Sequence, residues 1–325
     1  MKKKLKNNSQ FLSYSILTII VFGIFSAIAP SSFLSITNLQ SMSFQFPEFG
    51  ILALAMTIVM ITGGIDLSIL STANLCSILA AASMKILIIN YPETNMILIF
   101  AVVIIVSLLT GLVCGIINGF LIALLGIPPI LATIGTLKLY EGVSTVVSNG
   151  QAIRDFPMAI QFIGNGSLGL IPFSLIIFIF VIIVVLIFLR RTTLGFSIFM
   201  LGSNPTAARF SGLNTKSIII KTYMISGLLS GISAIIMMSR FNSAKVGYGN
   251  SYLLQTVLVA ILGGIDPEGG KGSAFGVILG ILTLQFISSG FNILGFTDYI
   301  RNVIFGTMLL LIMIFKYTYS LHKTN

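Results

Sequence analysis

Apolar residues run in long blocks along this chain, broken by glycine, proline or short polar clusters. Ten blocks read as membrane crossings: Phe11–Ala29, Gln45–Thr62, Leu67–Ile89, Met96–Leu125, Pro128–Ser148, Ile171–Leu189, Ser217–Met238, Tyr252–Leu262, Gly272–Ser289 and Tyr299–Phe315. The eighth is short and is expected to extend backward through Tyr248. A helix needs about 20 residues to cross the hydrocarbon core, so ten crossings use about 200 and leave only loops. The expected fold is all-α, a polytopic membrane protein of about ten transmembrane helices. It forms one transmembrane unit over residues 1–325 with short tails.

Composition agrees with the pattern. Hydrophobic residues make up 56% of the 325 and charged residues 8%, with a mean hydropathy of +1.07. A soluble domain carries about 25% charge, so this surface faces lipid. Lys and Arg in short loops set orientation. With the N-terminus inside, the cytoplasmic side holds Lys2, Lys3, Lys4, Lys6, Arg190, Arg191, Arg209, Lys216, Lys221, Lys271, Lys316 and Lys323. The outer side holds Lys85, Arg154, Arg240, Lys245 and Arg301. Both termini are therefore expected in the cytoplasm. The net charge of +10 follows from topology, and nucleic acid is not needed to explain it. Lys2–Lys6 and the Ala27-Ile28-Ala29 triplet imitate a secretory signal. The apolar run of about 19 residues exceeds a signal core, which favours an uncleaved first span. Cys76 and Cys114 lie within spans and His322 is isolated in the tail, so no disulfide, metal site or catalytic cluster is expected.

Gly-Gly-Ile-Asp occurs at Gly63–Asp66 and again at Gly263–Asp266. Gly111, Gly115 and Gly119 recur every fourth residue, as do Gly272, Gly276 and Gly280, and Gly227 and Gly231 repeat the spacing once. That spacing lines one helix face with small residues and lets backbones approach closely in lipid. A duplicated ancestral half and chance recurrence both remain open for the repeat.

The loop after the sixth span holds Asn204, an N-cap type, then Pro205 at a first helical position and Gly212 at a closing one. It spells a two-turn helix, Pro205–Ser211, too short to stand alone in water. Such a helix packs on its own protein or docks into a cytosolic partner. The chain has no engine of its own. Around Gly264–Ser273 the count fails for a phosphate-binding loop: Ile265 stands five before Gly270, and Gly272 replaces the hydroxyl residue. Asp266, Glu268 and Lys271 read as the decoration of a tight cytoplasmic loop.

Four stretches carry a resemblance: Gly63–Ser68, Ile127–Thr136, Gly202–Gly212 and Leu262–Ser273. In order and spacing from Thr37 to Phe315, the chain resembles ABC-type sugar permeases, the membrane subunits for ribose, xylose, arabinose, galactose and autoinducer 2. The resemblance implies a second permease subunit in a homo- or heterodimer, a cytosolic ABC ATPase and an extracytoplasmic solute-binding protein. It implies a multi-pass protein of the bacterial cell membrane that is not an enzyme. No cofactor is implied on this chain, ATP being held by the partner. Asn204, Pro205, Thr206, Ala207, Ala208, Arg209, Ser211 and Gly212 correspond to the family's ATPase-contacting loop helix.

Within the spans, charge is confined on this reading to Lys138 and Glu141, spaced to pair with each other. A neutral polar set accompanies them: Thr62, Asn74, Thr110, Asn118, Thr133, Thr136, Gln255, Thr256 and Gln285. Groups that both donate and accept suit a hydroxyl-rich solute, and they equally suit bonds between helices. Asn74, Asn118, Thr133, Thr136, Lys138 and Glu141 are the candidate path. An ion-coupled carrier for a small polar solute is the alternative, with Glu141 as its candidate carboxylate.

Overall fold

The computed structural model describes the backbone of residues 2–324 and the side chains of residues 12–315 and of Thr318. The side chains of Lys2, Lys3, Lys4, Lys6, Lys316, His322 and Lys323 lie outside the described residues. The chain begins with α1 (Lys2–Ile28), the turn α2 (Pro30–Phe33), α3 (Ile36–Ile61), α4 (Ile69–Asn90), α5 (Met96–Ala123) and α6 (Pro129–Ser148). An outer segment follows, with β1 (Ile153–Arg154), α7 (Met158–Asn165), β2 (Ser167–Leu168) and β3 (Ile171–Pro172). Then come α8 (Phe173–Arg191), α9 (Thr193–Ser203), α10 (Pro205–Phe210), α11 (Thr215–Phe241), β4 (Ser243–Ala244), α12 (Tyr252–Leu262), α13 (Ala274–Ile293) and α14 (Asp298–Thr324).

Ten of these helices coincide with the expected crossings. Eight are long and apolar enough to span by themselves, while Leu12–Ile28 and α12 are shorter. Local chemistry sets the boundaries. Ser35 caps α3 by accepting from the Asn38 N–H, and Asn95 caps α5 by accepting from that of Ile97. Asn149 ends α6 in the left-handed conformation. The extension of the eighth span through Tyr248 does not occur. Gly247 and Gly249 take φ of +87° and +72°, which no helix accommodates, so α12 starts at Tyr252. Thr193–Ser203, expected as loop, is instead an eleven-residue helix capped by Thr192.

α3 is the axis of the bundle. Every residue from Phe46 to Ile61 is buried, under α8, α11, α12 and α13. A span apolar on all sides belongs inside a protein rather than in lipid. α11 packs on α3, α4 and α5, α6 lies on α4, α1 on α13, and α14 on α12. The exposed Leu, Ile and Phe of α5, α6, α8 and α14 form the outer surface that a bilayer would cover. At one end of the bundle β1 pairs with β4, Ile153 opposite Ala244.

Candidate functional site

Three polar assemblies stand out, and the sequence-predicted residues divide among them. The first lies at the end of the bundle where α3, α9 and α12 finish. The Gly270 N–H donates to the Ile61 carbonyl at 2.8 Å, and the Ser203 hydroxyl donates to the Gly270 carbonyl at 3.4 Å. Gly202 sits between them, where any Cβ would strike both the Ile61 carbonyl and the Gly270 nitrogen. Both Gly-Gly-Ile-Asp loops therefore meet at the foot of α9. Each aspartate accepts the backbone N–H two residues on, Asp66 from Ser68 at 3.0 Å and Asp266 from Glu268 at 3.4 Å. Lys271 pairs with Asp266 at 3.6 Å.

From this junction the chain passes directly into α10. Asn204 accepts from the Ala207 N–H at 2.9 Å, Pro205 opens the helix, and Gly212 leaves it at φ +81°. The helix is one residue shorter than expected, with Ser211 as its cap. Thr206, Ala207 and Arg209 are exposed, Phe210 is 88% exposed, and Ala208 is fully buried. Phe210 is thus the large apolar side chain that α10 leaves uncovered.

The second assembly surrounds Asp66, which lies in the loop between α3 and α4. Its carboxylate accepts from the Ser68 hydroxyl at 2.7 Å and the Ser226 hydroxyl at 3.0 Å. Asn118 donates to the Ser68 oxygen at 2.7 Å, and Thr133 donates to the Ile65 carbonyl at 3.2 Å. Burial pushes the Asp66 carboxyl above its ordinary value, and its hydrogen bonds to Ser68 and Ser226 pull it partly back. Asn118 and Thr133 thus tie α5 and α6 to the Gly63–Ser68 loop. Thr136 is buried one turn further on, donating to the Thr133 carbonyl at 3.3 Å. Asn74 is apart from these, donating to the Tyr248 carbonyl at 3.3 Å. Lys138 and Glu141 pair at 2.8 Å on an open face of α6, 74% and 33% exposed.

The third assembly was not anticipated. Glu48 in α3 is fully buried, and Arg240 in the last turn of α11 grips it with two bonds, Nε to Oε2 at 3.0 Å and Nη2 to Oε1 at 2.6 Å. Tyr252 donates to the same Oε1 at 2.8 Å. Charge within the spans is therefore not confined to Lys138 and Glu141. Arg240, counted among the outer cations, is largely buried at the end of α11 and committed to Glu48. An acid in an otherwise apolar segment was the available signal, since burying it costs several kcal/mol, on the order of 3–5, without a partner. A cavity of about 300 Å³ opens beside this pair, bounded by Gln45, Gln255, Gln285 and Ser288.

The glycine stripes face backbone. A Cβ on Gly111, Gly115 or Gly119 would strike α11 at Gly227, Tyr223 or Ile220, and one on Gly276 would strike the Gly263 carbonyl. Gly280 faces Val259 of α12, and Gly272 (φ +148°) lies against Ile265 in the loop before α13. No group of three or more His, Cys, Asp or Glu side chains that could hold a metal occurs among the described residues.

Residues 38–313 match the family model described as the permease component of a branched-chain amino acid transport system. The autoinducer 2 import system permease protein LsrD of Yersinia enterocolitica is 30% identical over 96% of this chain and 92% of its own. The LsrD of Klebsiella pneumoniae is 32% identical over 99% of this chain and 95% of its own, and that of Photorhabdus luminescens 32% over 94% and 90%. No solved structure matches the chain. The resemblance carried by Gly63–Ser68 and Asn204–Gly212 thus holds over nearly the whole length, and the protein belongs to the multi-pass permease components of ABC-type import systems.

Proposed function

We propose that this chain is the translocation subunit of a binding-protein-dependent importer that carries a simple sugar or sugar-like solute into a bacterial cytoplasm. ATP is hydrolysed on a partner ATPase, and both termini of the permease face that partner's side. The observation that carries the reading is α10. It is a capped helix too short to be stable alone, with Phe210 bare, joined through Gly202 to both Gly-Gly-Ile-Asp loops. Motion of α10 by an ATPase would reach α3, α9 and α12 through backbone contacts that have no room to slip.

The face of α6 supports a second permease subunit. Lys138 and Glu141 sit midway along a helix of membrane length, and each costs about 2.5–3.5 kcal/mol on insertion scales if left in lipid. A second subunit, or the aqueous path between two, removes that cost. An ion-coupled carrier has less support: its candidate carboxylate, Glu141, is paired with Lys138 on an open face of α6 rather than enclosed in an ion site.

Replacing Ala207 with Asp and Phe210 with Ala tests the assignment. Both side chains point away from the chain's own packing, whereas a charge at the buried Ala208 would disturb the fold itself. The double variant is expected to insert normally and to lose ATPase association and solute uptake. Normal association and uptake would make α10 an ordinary surface helix, and uptake by the permease alone on an ion gradient would favour the carrier.

A further inference from the structure

No charged residue occurs from Phe156 to Leu189. The crossing itself, α8, begins only at Phe173, so residues 156–172 lie before it and still carry no charge. Other connections at this end of the bundle hold Glu93 and Lys245. The polar side chains of the uncharged segment are turned inward. Gln161 donates to the Phe156 carbonyl at 2.7 Å, and Asn165 donates to the Ser239 and Arg240 carbonyls at 3.1 Å. Ile160 and Ile163 are buried on the side of α7 that packs on α11, and a Cβ on Gly164 would strike the Arg240 nitrogen.

What remains outside is apolar. Met158 and Phe162 stand one turn apart on α7 and are exposed, Met158 by 88%. The β2–β3 hairpin sets Leu168 opposite Ile171, both exposed. Its turn consists of Gly169, at φ +64°, and Leu170, which is 73% exposed. Turns in water favour Gly, Pro, Asn, Asp or Ser, and a leucine at the tip gains nothing there. An apolar patch of this kind marks contact with another protein or with a membrane. Two observations select the membrane. The Phe162 ring lies 5.5 Å from that of Phe173, so the patch runs without a break into α8, whose exposed Ile176, Ile179 and Phe180 face lipid. A protein-docking surface also carries a polar rim, and this segment has spent its amides on its own backbone.

We infer that α7 and the β2–β3 hairpin form a foot seated in the headgroup boundary of the leaflet opposite α10. Met158, Phe162, Leu168, Leu170 and Ile171 are the side chains inserted. A short helix with one face on the protein and an apolar face outward suits that boundary, where such faces sink about 5–10 Å. Ser167, on the other face of the hairpin from Leu168, stays toward water. Through Gly164 and Asn165 the foot ties the end of α11 to the membrane surface.

The test exploits the absence of tryptophan from the chain. Leu170→Trp, Met158→Trp and Gln151→Trp each place a single probe at an exposed position, and the full chain is reconstituted in phosphatidylcholine bilayers with or without bromine on the acyl chains near the headgroup. The Leu170 and Met158 probes are expected to lose about half of their emission to lipid bromine, as shallow insertion requires. The Gln151 probe is expected to keep its emission and to be quenched by iodide in the water. A thermal midpoint in detergent matching that of the unaltered chain shows that each variant is folded. Leu170 decides the result, and Met158 replaces it if that variant does not fold. Emission untouched by bromine at the foot would overturn the inference. Iodide quenching would then leave the foot in water, protection from iodide on adding the solute-binding protein would make it a protein-docking surface, and protection without it would make it a contact between two copies of the chain. Equal bromine quenching at Gln151 would also overturn it, since the foot would then be no deeper than its surroundings.

Discussion

Gly111 of α5 and Gly227 of α11 approach so closely that a Cβ built on either would strike the carbonyl oxygen of the other. The reciprocity means that neither position can take a side chain unless the two helices move apart. Ser107 reinforces the seam one turn away, donating to the Gly231 carbonyl at 2.8 Å. In lipid, where apolar side chains gain nothing by association, such backbone proximity is what holds two helices together.

Gly115→Leu should therefore be among the most damaging single changes in the chain. The obstacle is the Tyr223 backbone, which cannot rotate aside as a side chain can. Overpacking costs about 1–3 kcal/mol when neighbours can adjust, and here the helices must separate. Thermal unfolding in detergent should show a clear fall in midpoint. Gly23→Ala is the control, since no atom lies within 4 Å of its Cβ position. A helical Gly→Ala change in open space gains about 0.5–1 kcal/mol. Equal effects at both sites would place the α5 stripe against lipid.

Glu48 and Arg240 should behave as a coupled pair. Breaking a buried ion pair by removing one partner costs about 3–5 kcal/mol, because a charge is left behind. Glu48 is fully buried and Arg240 is 19% exposed, so Arg240→Met should destabilise more than Glu48→Gln. Glu48→Leu with Arg240→Met removes both charges and should cost less than the two single changes added together. A thermal-stability cycle measures this directly, and strict additivity would dissolve the pair.

What the sequence makes legible here follows from the range of the forces involved. The Asn204–Gly212 helix is readable because its caps are local: Asn204 bonds a nitrogen three residues away. The Gly111-Gly115-Gly119 stripe is readable as one helix face for the same reason, although its partner face on α11 is not. The Glu48–Arg240 pair joins residues 192 apart, and no periodicity announces it. α9 escapes notice because Arg190, Arg191 and Gly195 resemble a loop opening, while the Thr192 cap that restarts the helix is a single side chain. Asn118 and Thr133 read as path residues by composition alone. Their actual bonds, to the Gly63–Ser68 loop, depend on tertiary packing.

Stability should depend on pH through Asp66. Burial raises its carboxyl above the ordinary value in the folded state. The folded protein then binds the proton more tightly than the unfolded chain. This contribution is fully present below the unfolded carboxylate value and is lost as pH rises through the folded one. Asp66→Asn keeps the oxygen that accepts from Ser68 and removes the ionisation, so the difference in melting temperature between acid and neutral pH should shrink. Ser226→Ala removes a bond that lowers the value, so that difference should grow. Movement of both variants in the same direction would rule out Asp66 as the group responsible.

Orientation can be read from labelling, and the fold indicates where to place the probes. One end of the bundle gathers Gly63, Gly202 and Gly270, together with α10. The other gathers β1, β4 and the β2–β3 hairpin, with Lys85 donating to the Asp155 carbonyl. Thr206 and Ser167 are exposed at these opposite ends. Asn165 is a poor probe site despite its exposure, because its amide holds the Ser239 and Arg240 carbonyls at 3.1 Å and its loss would disturb the end of α11. Basic residues cluster at the α10 end, where Arg190, Arg191, Arg209, Lys216 and Lys271 lie in or beside the loops, and such loops stay in the cytoplasm. In intact cells, a cysteine at Ser167 should react with a membrane-impermeant maleimide and one at Thr206 should not. After permeabilisation both should react. Cys76 and Cys114 are buried and give little background. Labelling of the Thr206 position alone in intact cells would invert the topology, place α10 outside, and remove the ATPase from any role at that helix.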